Sequence, residues 1–470
     1  MRNNIITISK KMVFLFSAAL ICSCQKLIEL PGNPPSSITE AQQFADSAST
    51  MTAVIGTYSY FANGGGNFTL SDGQLAVNTG LSSDELNTNS NDLNLTSFYS
   101  YRLLSKNARI ATAWNSAYNG LYPVNSILEN VAASPTLSAT FKTQIIAEMK
   151  VLRSLYYFNL VNQFGGVPLV LTTDYRVSSK LARSSVQEVY DQITMDLKEA
   201  EQMLPLSYPS EGRLRPNRYT ALTLLAKIAL YRRDWQGAYD AANTVISANF
   251  YSLEPDLSRV FLKGSREAIW QIPALNGANA TRDASNFIPA TNTTFPNYPI
   301  TPFLRNAFEA TDLRFRNWIG TSTVTVAGVP QPYYYPYKYK NRTVPFTGVE
   351  DFMIFRLAEV YLIRAEAAAQ LGRSADAIAD IRIIRSRAGL QTTLSPLATQ
   401  AEILNAVMKE RQTELFTEWG NRWYDLKRTG NADTVLGSQK TGWIPDAALY
   451  PIPDAQLKLN FFLTQNKGYN

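Results

Sequence analysis

The chain has 470 residues, 45% hydrophobic and 17% charged, which fits a globular body and excludes disorder for the bulk of it. It contains no histidine, so Ser-His-Asp and Cys-His catalysis, His-ligated zinc and a histidine pH switch are all excluded. The formal charge of +6 falls to +3 once the leader carrying Arg2, Lys10 and Lys11 is removed, and no Lys/Arg run forms the stripe that nucleic acid requires.

Residues 1–23 read as a lipoprotein signal peptide. Behind the basic residues, Met12 to Ile21 is a ten-residue apolar run, too short for a bilayer core that needs about 20. Ser23 then places a small residue immediately before Cys24, as lipoprotein signal peptidase needs, whereas a cut before Cys22 would put the bulky Ile21 there. Cys24 is therefore the expected lipidated residue. Residues 24–45, with Pro31, Pro34, Pro35 and several serines, are expected to be a flexible tether. Residues 46–470 are expected to form a single helical domain. Two neighbouring cysteines give it no disulfide framework.

Along the body, residues 62–97 are rich in Asn, Ser, Thr and Gly and read as an irregular loop. A helical hairpin is expected to pair Asn107–Val131 with Phe141–Phe164. Ser185 and Glu188 form a capping box ahead of Val189, Ile193, Leu197 and Ala200. Arg218–Arg232 and Asp234–Ile246 make a second hairpin. Phe352–Leu371 and a helix that Ser374 can cap echo it, with Gly372 and Gly389 as stops. Ala226 and Ala238 are twelve residues apart, as are Ala365 and Ala377, so a small residue recurs at each helix crossing in the manner of tetratricopeptide repeats. A last helix is expected over Gln400–Trp419. Residues 272–345, rich in Pro, Asn, Thr and Tyr, form a second long irregular segment, with a short strand at Thr321–Val329. The expected fold is thus all-α dominated: about four tetratricopeptide-like hairpins, long irregular loops and a few short strands.

Glu410, Glu414 and Glu418 recur at four-residue steps, where like charges repel unless cations answer them. Arg411, Arg422 and Arg428 nearby, and Arg153, Arg356 and Arg364 on other expected helices, can supply an ion-pair lattice. A glycosidase pair drawn from these carboxylates is the catalytic alternative. No P-loop and no calcium-binding loop is present, and the sequence offers no catalytic residue, metal ligand or cofactor site to name.

Twelve aromatic residues fall between 285 and 340. Flat side chains stack on the C–H faces of sugar rings, and Tyr adds a polar tip. Trp318 is the first ligand-contact candidate, followed by Tyr333, Tyr335 and Tyr334, then Phe295 and Tyr298. Tyr99 comes from the 58–101 segment. Period-2 alternation predicts that Tyr333 and Tyr335 act together, with Tyr334 on the opposite side.

Several segments together resemble the SusD/RagB family of nutrient-uptake lipoproteins. They are Ala147–Leu171, with Arg153, Tyr156, Gly165, Gly166 and Pro168; Arg356–Leu390; Glu410–Arg428; Pro451-Ile452-Pro453; and Gln465-Asn466 with Gly468-Tyr469. The resemblance implies a non-enzymatic, lipid-anchored protein facing outward from the outer membrane. It implies a glycan or oligosaccharide ligand and a SusC-like TonB-dependent transporter as partner, with no cofactor. The rival readings are a lipid-anchored helical glycoside hydrolase and a tetratricopeptide-type protein-binding scaffold.

Overall fold

The computed structural model describes residues 38–63, 73–274, 281–342, 349–391 and 394–469; Cys24 and most of the tether lie outside them. Helices dominate. Ala108–Ala133 and Ala139–Phe164 pack side by side, and Val186–Met203 packs on the other side of Ala139–Phe164. That central helix is buried on nearly every face from Ala147 onward, which is why its sequence shows no polar stripe. The buried Arg153 clamps Asp196 of the neighbouring helix with bonds of 2.8 and 2.7 Å. A side chain on Gly166 would begin 2.4 Å from the Ser184 carbonyl oxygen, so the chain leaving this helix can pass only as glycine.

The second and third hairpins match expectation closely. They are Arg218–Tyr231 with Trp235–Ser247, and Leu357–Gln370 with Ser374–Arg387. Trp235–Ser247 packs against Leu357–Gln370, so two hairpins far apart in sequence stack as neighbours. Ala226, Ala238, Ala365 and Ala377 are all fully buried at these crossings. The capping box of Ser185 and Glu188 forms as written.

Three expectations need correction. Phe352–Phe355 is not helical: Asp351–Arg356 is strand β4, fully buried and paired antiparallel with β1 (Ala268–Pro273), and the helix begins at Leu357. Four successive apolar residues suit a strand covered on both faces, and periodicity alone does not separate that from a buried helix. The last long helix runs Gln400–Glu414 and stops. Thr417, Trp419 and Gly420 all take positive φ and turn the chain into Asn421–Arg428. The polar 62–97 segment contains helix Gln74–Ser82, almost all buried, and Leu93–Ser100. Among the described residues, no helix is long and apolar enough to cross a membrane.

Ala365, Ala369, Ala377 and Ile381 share a compact apolar layer with Ile403 and Val407. Ala365→Leu should overpack it and cost about 1–3 kcal/mol in a chemical-denaturation midpoint. A parent-like midpoint would show that this crossing has slack.

Candidate ligand-binding surface

The candidate surface sits on a buried ionic base. Glu414 receives Arg356 at 2.6 Å and Arg314 at 3.3 Å, and also the Arg387 guanidinium. Glu410 receives Arg314 and Arg385, both at 2.8 Å. Glu418 receives Arg356 at 2.8 Å and the Lys338 ammonium. Glu267, Asp312 and Glu309 complete the set, so six carboxylates interlock with five cations. Burial opposes the charge on Glu414, but its three arginines outweigh that and hold its carboxyl far below the usual range. Of the six arginines named from the sequence, only Arg356 belongs to this lattice. Arg153, Arg364, Arg411, Arg422 and Arg428 pair with Asp196, Asp380, Asp425, Asp84 and Glu366 respectively, Arg428 also reaching Asp425. Arg314, Arg385 and Arg387 were not legible as members, because their partners are remote in sequence.

Trp318 roofs this lattice, which corrects its assignment as a ligand contact. The side chain is 0% exposed, and Nε1 donates to the Leu257 carbonyl at 2.9 Å. The Lys338 ammonium lies 5.0 Å from its ring centroid, and the Arg356 and Arg387 guanidiniums lie 5.7 and 5.9 Å away. Its large face therefore serves internal cations. The sequence held one clue: Arg314 and Trp318 are one helical turn apart on Leu313–Trp318.

From Trp318 the chain runs straight into a two-stranded ribbon, β2 (Ile319–Val326) and β3 (Val329–Pro336). Ala327 and Gly328 both take positive φ at its tip, the two-residue turn that matches strand twist. Only the first strand was expected. The alternation of the three tyrosines holds, but its consequence does not. Tyr333 packs against Phe295 with centroids 4.2 Å apart and the ring planes tilted by 54°. Tyr334 turns the other way, to Phe315 and under the Arg305 guanidinium. Tyr335 is 8% exposed and folded over Gly320, where an added side chain would begin 2.3 Å from its ring, so it is a packing residue. Tyr99 stands apart with the Lys440 ammonium 4.5 Å from its ring centroid, next to Tyr101.

The two irregular segments singled out by composition meet beside this ribbon. Leu86 and Ile300 form an isolated antiparallel bridge, and the Asn87 N–H donates to the Pro299 carbonyl at 2.8 Å. On the ribbon side, the Ile300 N–H donates to Tyr334 O at 2.9 Å and the Thr323 N–H to Asn292 O at 2.7 Å. The polar run Asn87-Thr88-Asn89-Ser90-Asn91-Asp92 leads away from this bridge, and half-buried Phe295 and Tyr298 lie on the segment that enters it. A cavity of about 290 Å³ opens below, lined by Gln74, Asn78, Asp92, Asn94, Arg109 and Thr112 among others. Burial raises the Tyr298 phenol; Arg109 opposes that shift and Asp92 adds to it, which ties this ring to the cavity wall. Amides for hydroxyl groups and flat rings for C–H faces stand on one surface. Among the described residues, no group of acidic or cysteine side chains could hold a metal ion.

Glu85, buried just beneath the bridge, accepts the Thr417 N–H at 3.2 Å. Burial and neighbouring Asp84 push its carboxyl up to about 8, against Arg422 and Lys338.

Stacked helical hairpins carrying long loops rich in rings and amides define a helical-repeat protein. A family model described as starch-binding, associating with outer membrane, matches residues 39–230, and the SusD family model matches residues 305–469. Two SusD-like proteins of Formosa agariphila are 25% and 24% identical to the chain, each covering 98% of it and 98% and 99% of their own lengths. A SusD superfamily protein from Bacteroides vulgatus superposes with a TM-score of 0.79 at 22% identity, over 91% of this chain and 100% of its own. A structure titled as a laminarin-binding SusD-like protein gives 0.74 at 25% identity, over 90% and 100%. The chain belongs to the SusD/RagB family.

Two outcomes follow. Trp318→Ala removes a fully buried indole and should destabilise the fold by about 3–5 kcal/mol, read by urea denaturation; an unchanged midpoint would place the ring at the surface after all. For Glu85, the native state keeps a proton that the unfolded carboxyl, with its ordinary value of 4.5, has lost. Stability should therefore fall as pH rises from about 4.5 to about 8, and Glu85→Gln should flatten that slope. Parallel slopes for parent and variant in urea melts across this range would contradict the burial of Glu85.

Proposed function

We propose that this chain binds an oligosaccharide on the surface where residues 84–101 and 287–300 meet the β2–β3 ribbon. The reading is carried by one juxtaposition: the Asn-rich run 87–94 bridged to the segment holding Phe295 and Tyr298, with Tyr333 packed at a tilt against Phe295. Phe295, Tyr333 and Tyr298 offer ring faces to the sugar, and Asn87, Asn89 and Asn91 offer paired donors and acceptors to its hydroxyls. Family membership and the likeness to a laminarin-binding SusD-like protein support a glycan as ligand.

The protein captures ligand without cleaving it and passes it to a SusC-like TonB-dependent transporter in the outer membrane. Lipid on Cys24 holds it there, on the outward face. The carboxylates that the glycosidase alternative would draw on are occupied: Glu410 and Glu414 are buried and held by arginines.

Calorimetry with glycan oligomers tests the site. Phe295→Ala with Tyr333→Ala should lower affinity by about 2 kcal/mol, the scale of a well-packed aromatic contact, with an unchanged melting temperature. Full affinity in this variant, or shortened products after incubation with the parent, would contradict the reading. For the anchor, Cys24→Ala should shift the protein out of the acyl-labelled membrane fraction, whereas Cys22→Ala should behave like the parent.

A further inference from the structure

The ribbon has a second side. Beyond Tyr334 lies an open cleft of about 830 Å³, within the size range of small-molecule sites. Its walls include Arg305, Asn306, Phe308, Phe315, Arg316 and Tyr334. Two acids also border it, and both are already neutralised. Glu309 is held by Arg385 at 2.7 and 3.1 Å, and buried Asp312 is held by Arg314 at 2.8 Å.

The two arginines are in the opposite condition. Arg305 and Arg316 are exposed, and among the described residues neither takes part in an ion pair. Among the described residues the Arg305 side chain makes one polar contact, a long 3.5 Å approach of Nε to Asn306 Oδ1. Its guanidinium lies 5.6 Å from the centroid of the Tyr334 ring. That ring is braced from behind by Phe315 at 5.7 Å, and Phe315 by Phe308 at 5.6 Å.

The cleft therefore combines an aromatic wall, an amide and two guanidiniums that no ion pair among the described residues neutralises. A neutral sugar leaves both charges unused. A sugar carrying a carboxylate or a sulfate ester would stack its ring on Tyr334 and present two oxygens to an arginine fork. We propose that this cleft is a subsite for an acidic sugar unit, so that the glycan taken up is anionic. The proposal rests on the glycan reading above and narrows it to a substrate class. Carboxylate and sulfate share the recognition chemistry, and the experiment separates them.

The intact chain and its variants are titrated calorimetrically with three probes: a neutral laminari-oligosaccharide, an oligogalacturonate and a sulfated galactan oligosaccharide. At low salt one acidic probe should bind at least about tenfold tighter than the neutral one, the worth of a single charge-assisted contact. The tighter of the two identifies carboxylate or sulfate. About 0.5 M salt should remove that advantage. Arg305→Gln with Arg316→Gln should also remove it at an unchanged melting temperature, and the corresponding Lys variants should keep part of it. Equal affinity for neutral and acidic probes, or an acidic preference that survives in the double Gln variant, overturns the subsite. The two proposals fail separately. If Phe295→Ala with Tyr333→Ala weakens every probe while the arginine variant changes none, the glycan surface stands and this cleft falls. If none of the probes binds the parent chain, both fall.

Discussion

A charge removed from water must be answered nearby, and this constraint organises the molecule around Glu414. Its carboxylate is fully buried on the last turn of one helix, and the arginines that meet it come from β4, from Ser374–Arg387 and from Leu313–Trp318. Each of those elements is thereby fixed against the others. The lattice is weak evidence for extra stability, because apolar packing could replace it at similar free energy. What it supplies is position. Removing one member strands the remaining charges in a dry interior, so the elements move as a unit or not at all.

The consequence reaches the surface through Trp318. Its indole lies across the lattice cations, and the next residue begins β2. The ribbon is therefore anchored at its base by the most rigid part of the core while its tip projects into solvent. Residues 287–300 are held between this ribbon and the 84–87 segment by backbone hydrogen bonds, by the Ser322 hydroxyl donating to the Thr294 carbonyl and by the Phe295–Tyr333 ring contact. Rigid elements hold the platform and irregular segments carry the variable chemistry, the division of labour expected of a binding scaffold. Tyr333 and Tyr334, adjacent in sequence, face two different recesses because a strand alternates.

The hairpins were legible because their signals are local. Three- and four-residue steps of apolar residues, a capping box at Ser185 and the alanine pairs at the crossings all act within one or two turns. Strand β4 was not, since Phe352–Phe355 carries no periodicity that separates strand from helix and its partner β1 is remote in sequence, Ile272 facing Phe352. The helix end at Glu414 was obscured because Thr417 and Trp419 adopt positive φ, a conformation their residue types do not advertise. The aromatic richness of 285–340 drew attention to a region without separating its buried rings, Trp318 and Tyr335, from its half-buried ones. Composition counts rings and says nothing of their direction, and Trp318, the largest, was claimed by cations whose approach depends on the tertiary fold. The meeting of Leu86 with Ile300 is likewise a tertiary fact. Both loops could be named from sequence, and their shared surface could not.

Backbone hydrogen exchange with and without a bound oligosaccharide tests the account most directly, because it reports where ligand sits without altering any residue. The account predicts added protection in residues 84–94 and 287–300 and along β3, with helix Gln400–Glu414 and the hairpins unchanged. Protection confined to the faces of Trp235–Ser247 and Ser374–Arg387, with the loops unaffected, would contradict it and place recognition on the helical repeats instead.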